Sequence, residues 1–311
     1  MDFLFIVIGL VLLVFGGDWL LKSAVGMSLQ LNISKVIIGM TVVSFATSAP
    51  ELIVSVKSAM AGFPDIAIGN VVGSNIANIG LILGVVMIIN SMRVDISFFK
   101  TDWPAVLISS LLLYGMLLYD GEINRIDGII LFSILIFFII YLIKTQKGNE
   151  AEIEIPLEDT MKMSKVIVYL AIGGIALYAG SELLIKGAVN LATTFGVSDR
   201  VIAVTVVAIG TSIPELSASL IAAIKKESAI SIGNVLGSNI FNVLSVIGLS
   251  AIIHPIKFMD SRLLSFDMIW MLGFTLVLIP LVLIPKKGYL DRKAGIFLVG
   301  SYILFVFLTF K

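Results

Sequence analysis

Long apolar stretches follow one another along most of this chain. A membrane-spanning helix needs about 20 mostly apolar residues, and ten stretches meet or approach that length. They cover roughly residues 3–29, 34–61, 65–91, 101–119, 126–144, 164–190, 198–224, 228–253, 264–284 and 291–310. The pattern therefore predicts an all-α integral membrane protein with ten transmembrane helices.

One connection, residues 147–163, is long and hydrophilic. It is rich in Glu but lacks the alternating Asp or Asn residues and the glycine turn of an EF-hand loop. We interpret it as a solvated linker between a first half, residues 1–146, and a second half, residues 164–311.

The second half repeats the first without a gap when the sequence is shifted by 164 positions. Between Ser34 and Gly84, 23 of 51 positions match their partners. Shared Leu and Val follow from membrane composition, but Thr-Ser-x-Pro-Glu and Gly-x-x-Gly-Ser-Asn-Ile-x-Asn also recur. Because each half holds five spans, an odd number, the second half enters the membrane from the opposite side. Inverted repeats of this kind bind transported substrates near the midplane, where interrupted helices meet.

Composition narrows the class of protein further. The chain is 59% hydrophobic and 14% charged, with a mean hydropathy of +1.10, which excludes an ordinary soluble enzyme. The 21 Lys and Arg residues balance 21 Asp and Glu residues, which excludes a basic nucleic-acid-binding surface. The chain has no Cys, which excludes thiolate metal sites, and it has one His, which excludes His-rich metal sites.

The distribution of basic residues predicts the orientation in the cell membrane. With the N-terminus outside, 14 of the 21 Lys and Arg residues fall on the cytoplasmic side. The positive-inside rule therefore predicts that the N-terminus and the C-terminus both lie outside.

Two corresponding spans, the second and the seventh, are interrupted by polar residues and a Pro-Glu pair. Residues 44–51 and 208–215 carry these segments. Proline frees helix carbonyl oxygens, which need another partner inside a bilayer, and a bound cation is one such partner. An ionised residue at the membrane centre costs about 2.5 to 3.5 kcal/mol even on the milder scale. Two occur here in equivalent places, Glu51 and Glu215.

The third and eighth spans add small polar side chains. The third contains Asn70, Ser74, Asn75 and Asn78, and the same residues recur 164 positions later. Residues four apart share one helix face, which suits a ligand set. Glycines and asparagines also serve helix packing in membranes, so the packing and ligand interpretations stand together.

The candidate ligands are all oxygens. Two carboxylates could balance one Ca²⁺, two Na⁺ or two protons, so one cargo excludes the other, and this equivalence is a physical basis for exchange. Calcium accepts 6–8 oxygens in flexible geometry, whereas magnesium dehydrates reluctantly. A channel is an alternative, but inverted repeats favour alternating access. An intramembrane protease would need His254, which is far in sequence from any special Ser motif, so we expect no enzyme.

Both repeated segments resemble a known family. Residues 39–51 with 69–78, and 205–215 with 233–242, resemble the two α-repeats of the cation/calcium exchanger superfamily, most closely its prokaryotic sodium/calcium exchangers. The resemblance implies α-repeats at about 34–91 and 198–253, ten helices, and sodium-driven calcium transport by alternating access. The first and sixth spans would gate or slide past a core. Ca²⁺ and Na⁺ would be transported substrates, no cofactor or obligatory protein partner is implied, and we expect a monomer.

The resemblance also implies roles for individual residues. Glu51 and Glu215 would be the central calcium carboxylates, which sodium shares. The other oxygens of the calcium and flanking sodium sites would come from Thr47, Thr211, Ser74, Ser238 and the backbone carbonyls of Ser44 and Ala208. Asn78 and Asn242 would line the middle of the site. Ser48 and Ser212 would lie beside the ligands.

Two departures from the wider family refine the cargo. Asn242 stands where some relatives carry Asp, an acid linked to potassium use in potassium-dependent relatives, so Asn242 indicates potassium independence. Proton/calcium exchangers usually carry an acid soon after the Gly-Asn of this motif, and residues 69–73 and their counterpart lack it. An antiporter exchanging protons for calcium, or for another divalent cation, at the same site remains the alternative.

Overall fold

The computed structural model describes residues 2–145, 161–194, 210–257, 262–284 and 288–309. The helices in these ranges are α1 Asp2–Leu31, α2 Lys35–Thr47, α3 Ala49–Met60, α4 Pro64–Ile89, α5 Phe98–Tyr119, α6 Arg125–Thr145, α7 Met163–Thr194, α8 Ile213–Ile224, α9 Ser228–Ile253, α10 Leu263–Leu283 and α11 Arg292–Thr309. Short strands are β1 Met92–Arg93, β2 Glu122–Ile123, β3 Ile256–Lys257 and β4 Tyr289–Leu290.

The predicted all-α membrane class is confirmed. Among the described residues, eight helices are long and apolar enough to cross a bilayer, and α2 with α3 makes a ninth if the bent pair is one span. The predicted boundaries are close to the observed ones, as α9 shows by matching residues 228–253. Helix α8 is the second part of the predicted seventh span, and residues 195–209 lie outside the described ranges. The count of ten helices therefore stays a prediction.

The chain forms two compact units that differ from the two sequence repeats. The first unit comprises residues 1–47 and 142–234, and the second comprises residues 48–141 and 235–311. Each unit takes residues from both sequence halves, so the division into repeats and linker stays a prediction about the sequence. Of the linker, residues 147–160 lie outside the described ranges.

The first unit is built around α1 and α7, which begin the two repeats. A Cβ atom on Gly9 would lie 2.8 Å from the carbonyl oxygen of Gly180, and one on Gly180 would lie 2.9 Å from that of Gly9. Gly16 and Gly173 approach each other in the same reciprocal way, at 3.1 and 3.0 Å. Small residues allow such close backbone contact. Because one number rises as its partner falls, the two helices are antiparallel, as inverted repeats require.

The second unit contains matching glycine contacts between other helix pairs. A Cβ atom on Gly295 of α11 would lie 2.6 Å from the carbonyl oxygen of Gly84 in α4. A Cβ atom on Gly128 of α6 would lie at the same distance from the carbonyl oxygen of Gly248 in α9. Gly84 and Gly248 are 164 positions apart, so the duplication preserves a packing contact as well as polar motifs.

The strands of the second unit also follow the inverted pattern. β1 pairs with β4 and β2 pairs with β3, both antiparallel. Met92 of β1 and Ile256 of β3 are repeat counterparts, yet they belong to different pairs. β1 and β4 are separated by six predicted spans, an even number, so their connections are expected on the same side of the membrane.

Candidate cation-binding site

The two Pro-Glu motifs begin α3 and α8 in the same way. Ser48 precedes α3 with φ −86° and ψ 5°, and Ser212 precedes α8 with φ −89° and ψ 6°. Proline lies in the first turn of each helix, where N–H groups have no partner within the helix. Glu51 and Glu215 follow in that turn, where the helix dipole favours a negative charge. The predicted interruption is therefore a break before the proline, at the serine.

The predicted ligands are nearly all buried. Glu51 and Glu215 have 0% exposure. The other buried members of the predicted set are Ser44, Thr47, Ser48, Ser74, Asn78, Ser212, Ser238 and Asn242. Thr211 is half-buried, and Ala208 lies outside the described residues. Burying so many polar groups is unfavourable unless hydrogen bonds or a cation compensate the lost hydration.

In the first unit, α2 and α9 cross at a pair of glycines. A Cβ atom on Gly39 would lie 2.7 Å from the carbonyl oxygen of Ile230, and one on Gly233 would lie 2.5 Å from that of Val36. Side chains larger than hydrogen do not fit at such distances. The crossing therefore depends on both glycines, and it brings the next residue of α9, Asn234, against the polar end of α2.

Asn234 joins three helices of the first unit. The Thr47 hydroxyl donates to Asn234 Oδ1 at 3.2 Å, and the Ser44 hydroxyl donates to the Asn234 carbonyl oxygen at 3.0 Å. Asn234 Nδ2 donates to Ser219 Oγ at 2.9 Å and lies 3.5 Å from the carbonyl oxygen of Glu215. One amide thus holds a predicted threonine ligand and the backbone of the glutamate helix.

Asn70 performs the same function in the second unit. Its Nδ2 donates to Ser55 Oγ at 3.0 Å and to the carbonyl oxygen of Glu51 at 3.4 Å. The sequence pattern names Asn70 and Asn234 among the repeated polar residues of the third and eighth spans, but the family resemblance gives them no role as ligands.

Four amides of the second unit form a network between α4 and α9. Asn242 Nδ2 donates to Asn75 Oδ1 at 3.1 Å, and Asn78 Nδ2 donates to Asn239 Oδ1 at 3.1 Å. Asn75 Nδ2 also donates to the backbone carbonyl oxygen of Asn239 at 3.2 Å. The network therefore connects the two predicted ligands Asn78 and Asn242 to Asn75 and Asn239, two repeated asparagines to which the family resemblance gives no role as ligands.

Some of the predicted ligand oxygens are buried and have no hydrogen-bond partner in the part of the chain that the structure describes. In the second unit these are Ser74 Oγ and, within the network, Asn78 Oδ1 and Asn242 Oδ1; in the first unit Ser212 Oγ is one. A buried acceptor without a partner costs about 1–3 kcal/mol. A cation would remove that cost for each oxygen it contacts.

Backbone geometry marks the same asparagines. π-helical segments begin at Asn78 in α4 and at Asn242 in α9, spanning Asn78–Leu83 and Asn242–Ile247. π-helical segments are rare in proteins, and those that occur often lie at functional sites. No group of three or more His, Cys, Asp or Glu side chains forms within the described ranges. The potential metal ligands in each unit are oxygen atoms, which suit hard cations such as calcium and sodium.

Comparison with known proteins agrees with this chemistry. Residues 1–144 and 165–311 match the family model described as sodium/calcium exchanger protein. The chain belongs to this family. It is 35% identical over 315 residues to the putative antiporter CaxA of Alkalimonas amylolytica, covering 99% of this chain and 98% of the relative. It is 30% identical to the sodium/calcium exchanger MaX1 of Methanosarcina acetivorans, covering 99% and 98%.

A solved structure shows the same fold. The sodium-calcium exchanger NCX_Mj, soaked with Na⁺ and Ca²⁺, is 30% identical to this chain with a TM-score of 0.82, covering 97% of this chain and 96% of that one. The predicted family, and with it a multi-pass membrane cation/calcium exchanger, is confirmed. Members of this family are transporters. The assignment of individual ligands stays a prediction.

The glycine crossing of α2 and α9 yields a direct test of how the first unit is held. We expect Gly233→Ala to lower the free energy of unfolding by about 1–3 kcal/mol, because the new Cβ would meet the Val36 carbonyl oxygen at 2.5 Å. The matched control is Gly69→Ala, the repeat counterpart, whose Cβ would meet, among the described residues, only Leu263 Cδ1 at 3.9 Å. Unfolding of the purified proteins in detergent measures the difference, and equal stability of the two variants would contradict this packing.

Proposed function

We propose that this chain is a secondary antiporter that exchanges sodium for calcium across the cell membrane. The observation that carries the proposal is a buried glutamate that occurs twice. Each glutamate lies in the first turn of a helix with a Pro-Glu motif, and an asparagine of the next helix donates a hydrogen bond to its backbone carbonyl oxygen. Glu51 with Asn70 is one copy, and Glu215 with Asn234 is the other. The names of MaX1 and NCX_Mj as sodium/calcium exchangers support the same cargo.

Charge balance explains why one cargo would replace the other. Removing an ionised carboxylate from water costs several kcal/mol unless an opposite charge compensates it. Together Glu51 and Glu215 would carry two negative charges, which one Ca²⁺ or two Na⁺ neutralise. In this proposal both carboxylates bind the same calcium, so loss of calcium is favourable only when sodium takes its place. That both glutamates share one cation rests on the duplication and on the family.

Neutral oxygens would complete the coordination of each cation. Calcium takes 6–8 oxygens, so the two glutamates need further ligands. We assign these to the buried carbonyls and hydroxyls that lack other partners, above all Asn78 Oδ1, Asn242 Oδ1 and Ser74 Oγ. The remaining assigned oxygens belong to Thr47, Thr211, Ser238, Ser48, Ser212 and the backbone carbonyls of Ser44 and Ala208. Because Asn242 adds no third acid, potassium is not required in this proposal.

Access from either side would alternate through movement of α1 and α7. These helices pack against each other along a glycine seam in the first unit, so we expect them to move as a pair. Asp18 of α1 contacts Lys22 at 2.8 Å and also Lys225, which follows the glutamate-bearing helix α8. Movement of the pair along α8 would have to break the Asp18–Lys225 contact.

The coupling ion separates the proposal from its alternative, an antiporter that exchanges protons for calcium. In proteoliposomes at clamped voltage, we expect ⁴⁵Ca²⁺ uptake to follow an outward sodium gradient. Glu51→Gln and Glu215→Gln should each reduce this uptake at least about 100-fold, because a neutral amide cannot balance the charge of calcium. Asp95→Asn is the matched control, since this exposed acid makes the same chemical change outside the assigned ligands.

The outcomes of this experiment are distinct. Uptake driven only by a proton gradient would retain calcium transport but replace sodium as the coupling ion. Uptake under neither gradient would show that calcium is not the cargo. Full activity in either glutamine variant would contradict the assignment of that glutamate as a calcium ligand.

Cross-linking tests the proposed movement, and the absence of natural Cys residues makes it specific. We expect a short cross-link between Lys22→Cys and Lys225→Cys, which join α1 to the end of α8, to stop exchange. A cross-link between Asp2→Cys and Asn190→Cys should preserve it, because these residues of α1 and α7 already touch at 2.9 Å and would move together. Sodium-driven ⁴⁵Ca²⁺ flux before and after reduction of each bridge measures the effect. Equal flux in the two bridged proteins would contradict movement of α1 and α7 as a pair.

A further inference from the structure

We infer that Asn75 is a positioning residue that fixes the direction of the Asn242 amide, so that the carbonyl oxygen of Asn242 faces the cation. This inference rests on the proposed function, because it concerns how one of the assigned ligands is held. Asn75 is not one of the assigned ligands, and both ends of its amide form hydrogen bonds within the second unit.

The direction of each amide follows from a backbone anchor. The carbonyl oxygen of Asn239 can only accept a hydrogen bond, so Asn75 must turn its Nδ2 toward it, at 3.2 Å. Asn75 Oδ1 then faces Asn242, which must present its own Nδ2, at 3.1 Å. The Asn242 Oδ1 atom is therefore turned away from Asn75, buried and without a hydrogen-bond partner among the described residues.

This constraint matters because an amide has two different ends. A reversed Asn242 would set its oxygen against Asn75 Oδ1, two acceptors facing each other, and would direct two N–H groups at the position of a cation. A carboxylate has an oxygen at both ends and needs no such control. The neutral side chain at position 242 thus creates the need for Asn75.

The repeat counterpart of this pair lacks the anchor. Asn78 Nδ2 donates to Asn239 Oδ1 at 3.1 Å, but Asn239 Nδ2 is buried with no hydrogen-bond partner in the described part of the chain. Among the described residues, no backbone carbonyl therefore fixes the direction of the Asn239 amide, as the Asn239 carbonyl fixes that of Asn75. The two halves of the network are unequal, and Asn75 is the residue through which the backbone sets the direction of a ligand.

The test is a double-mutant cycle in calcium binding. Equilibrium ⁴⁵Ca²⁺ binding is measured on the purified full-length chain in detergent, without sodium. We expect Asn75→Leu to raise the half-saturating calcium concentration about 10–100-fold, the usual effect of removing a group that holds a metal ligand. In the Asn242→Asp background the same substitution should not weaken binding, because a carboxylate has an oxygen at both ends and loses only an opposing acceptor, Asn75 Oδ1.

Further variants separate positioning from general packing. Asn75→Leu combined with Asn78→Asp should stay weakened, because Asn75 acts on Asn242 and not on Asn78. Asn75→Gln alone should bind calcium within about fivefold of the unaltered chain. Its amide keeps a donor for the Asn239 carbonyl and an acceptor for Asn242 Nδ2, as the original amide does. Asn75→Ala should be weakened like Asn75→Leu, and it keeps the test informative if Asn75→Leu does not fold.

Each remaining result contradicts a definite statement. The role given to Asn75 is wrong if Asn75→Leu binds calcium like the unaltered chain, if its loss persists in the Asn242→Asp background, or if Asn75→Gln binds as weakly as a leucine variant should. Absence of calcium binding in the unaltered chain would instead overturn the proposed function, and the role of Asn75 with it.

Discussion

The structure depends on one constraint: oxygens buried in an apolar protein need a hydrogen-bond donor or a cation as partner. Hydrocarbon offers no water, so every carbonyl, hydroxyl and carboxylate needs a partner within the protein or its cargo. Much of the polar interior here meets that need internally, through contacts such as Thr47 with Asn234 and Asn242 with Asn75. The oxygens that remain, including Asn78 Oδ1 and Asn242 Oδ1, define what a cation would satisfy.

Duplication and glycine contacts explain how such a site is assembled. The duplication supplies each polar motif twice, and an odd number of predicted spans reverses the second copy. Glycines then allow backbones to meet closely enough for short side chains to reach across, as Gly39 and Gly233 do beside Asn234. Each glutamate-bearing helix is held by one asparagine of the helix that follows it, Asn70 for α3 and Asn234 for α8. The same short motifs thus provide helix packing and, in the proposed site, the oxygens that would bind cations.

Much of this fold could be predicted from the sequence, because apolar length and repeated motifs are local properties. The bounds of α9 and the buried Pro-Glu motifs follow directly from them. The amide network could not be predicted, since Asn75 and Asn239 meet only through packing between helices 164 residues apart. The break at Ser48, two residues before the proline, and the exchanged strand pairs β1–β4 and β2–β3 likewise depend on tertiary contacts. Sequence marked these positions as polar or repeated but not what they touch.

Competition between the two cations tests the central claim most directly. Equilibrium binding of ⁴⁵Ca²⁺ to the purified chain is measured at increasing sodium concentration and fixed pH. If one set of buried oxygens serves both cations, sodium should raise the half-saturating calcium concentration steeply while the maximal amount of calcium bound stays constant. Calcium binding that is unaffected by sodium, or a maximum that falls at a constant midpoint, would contradict a shared site.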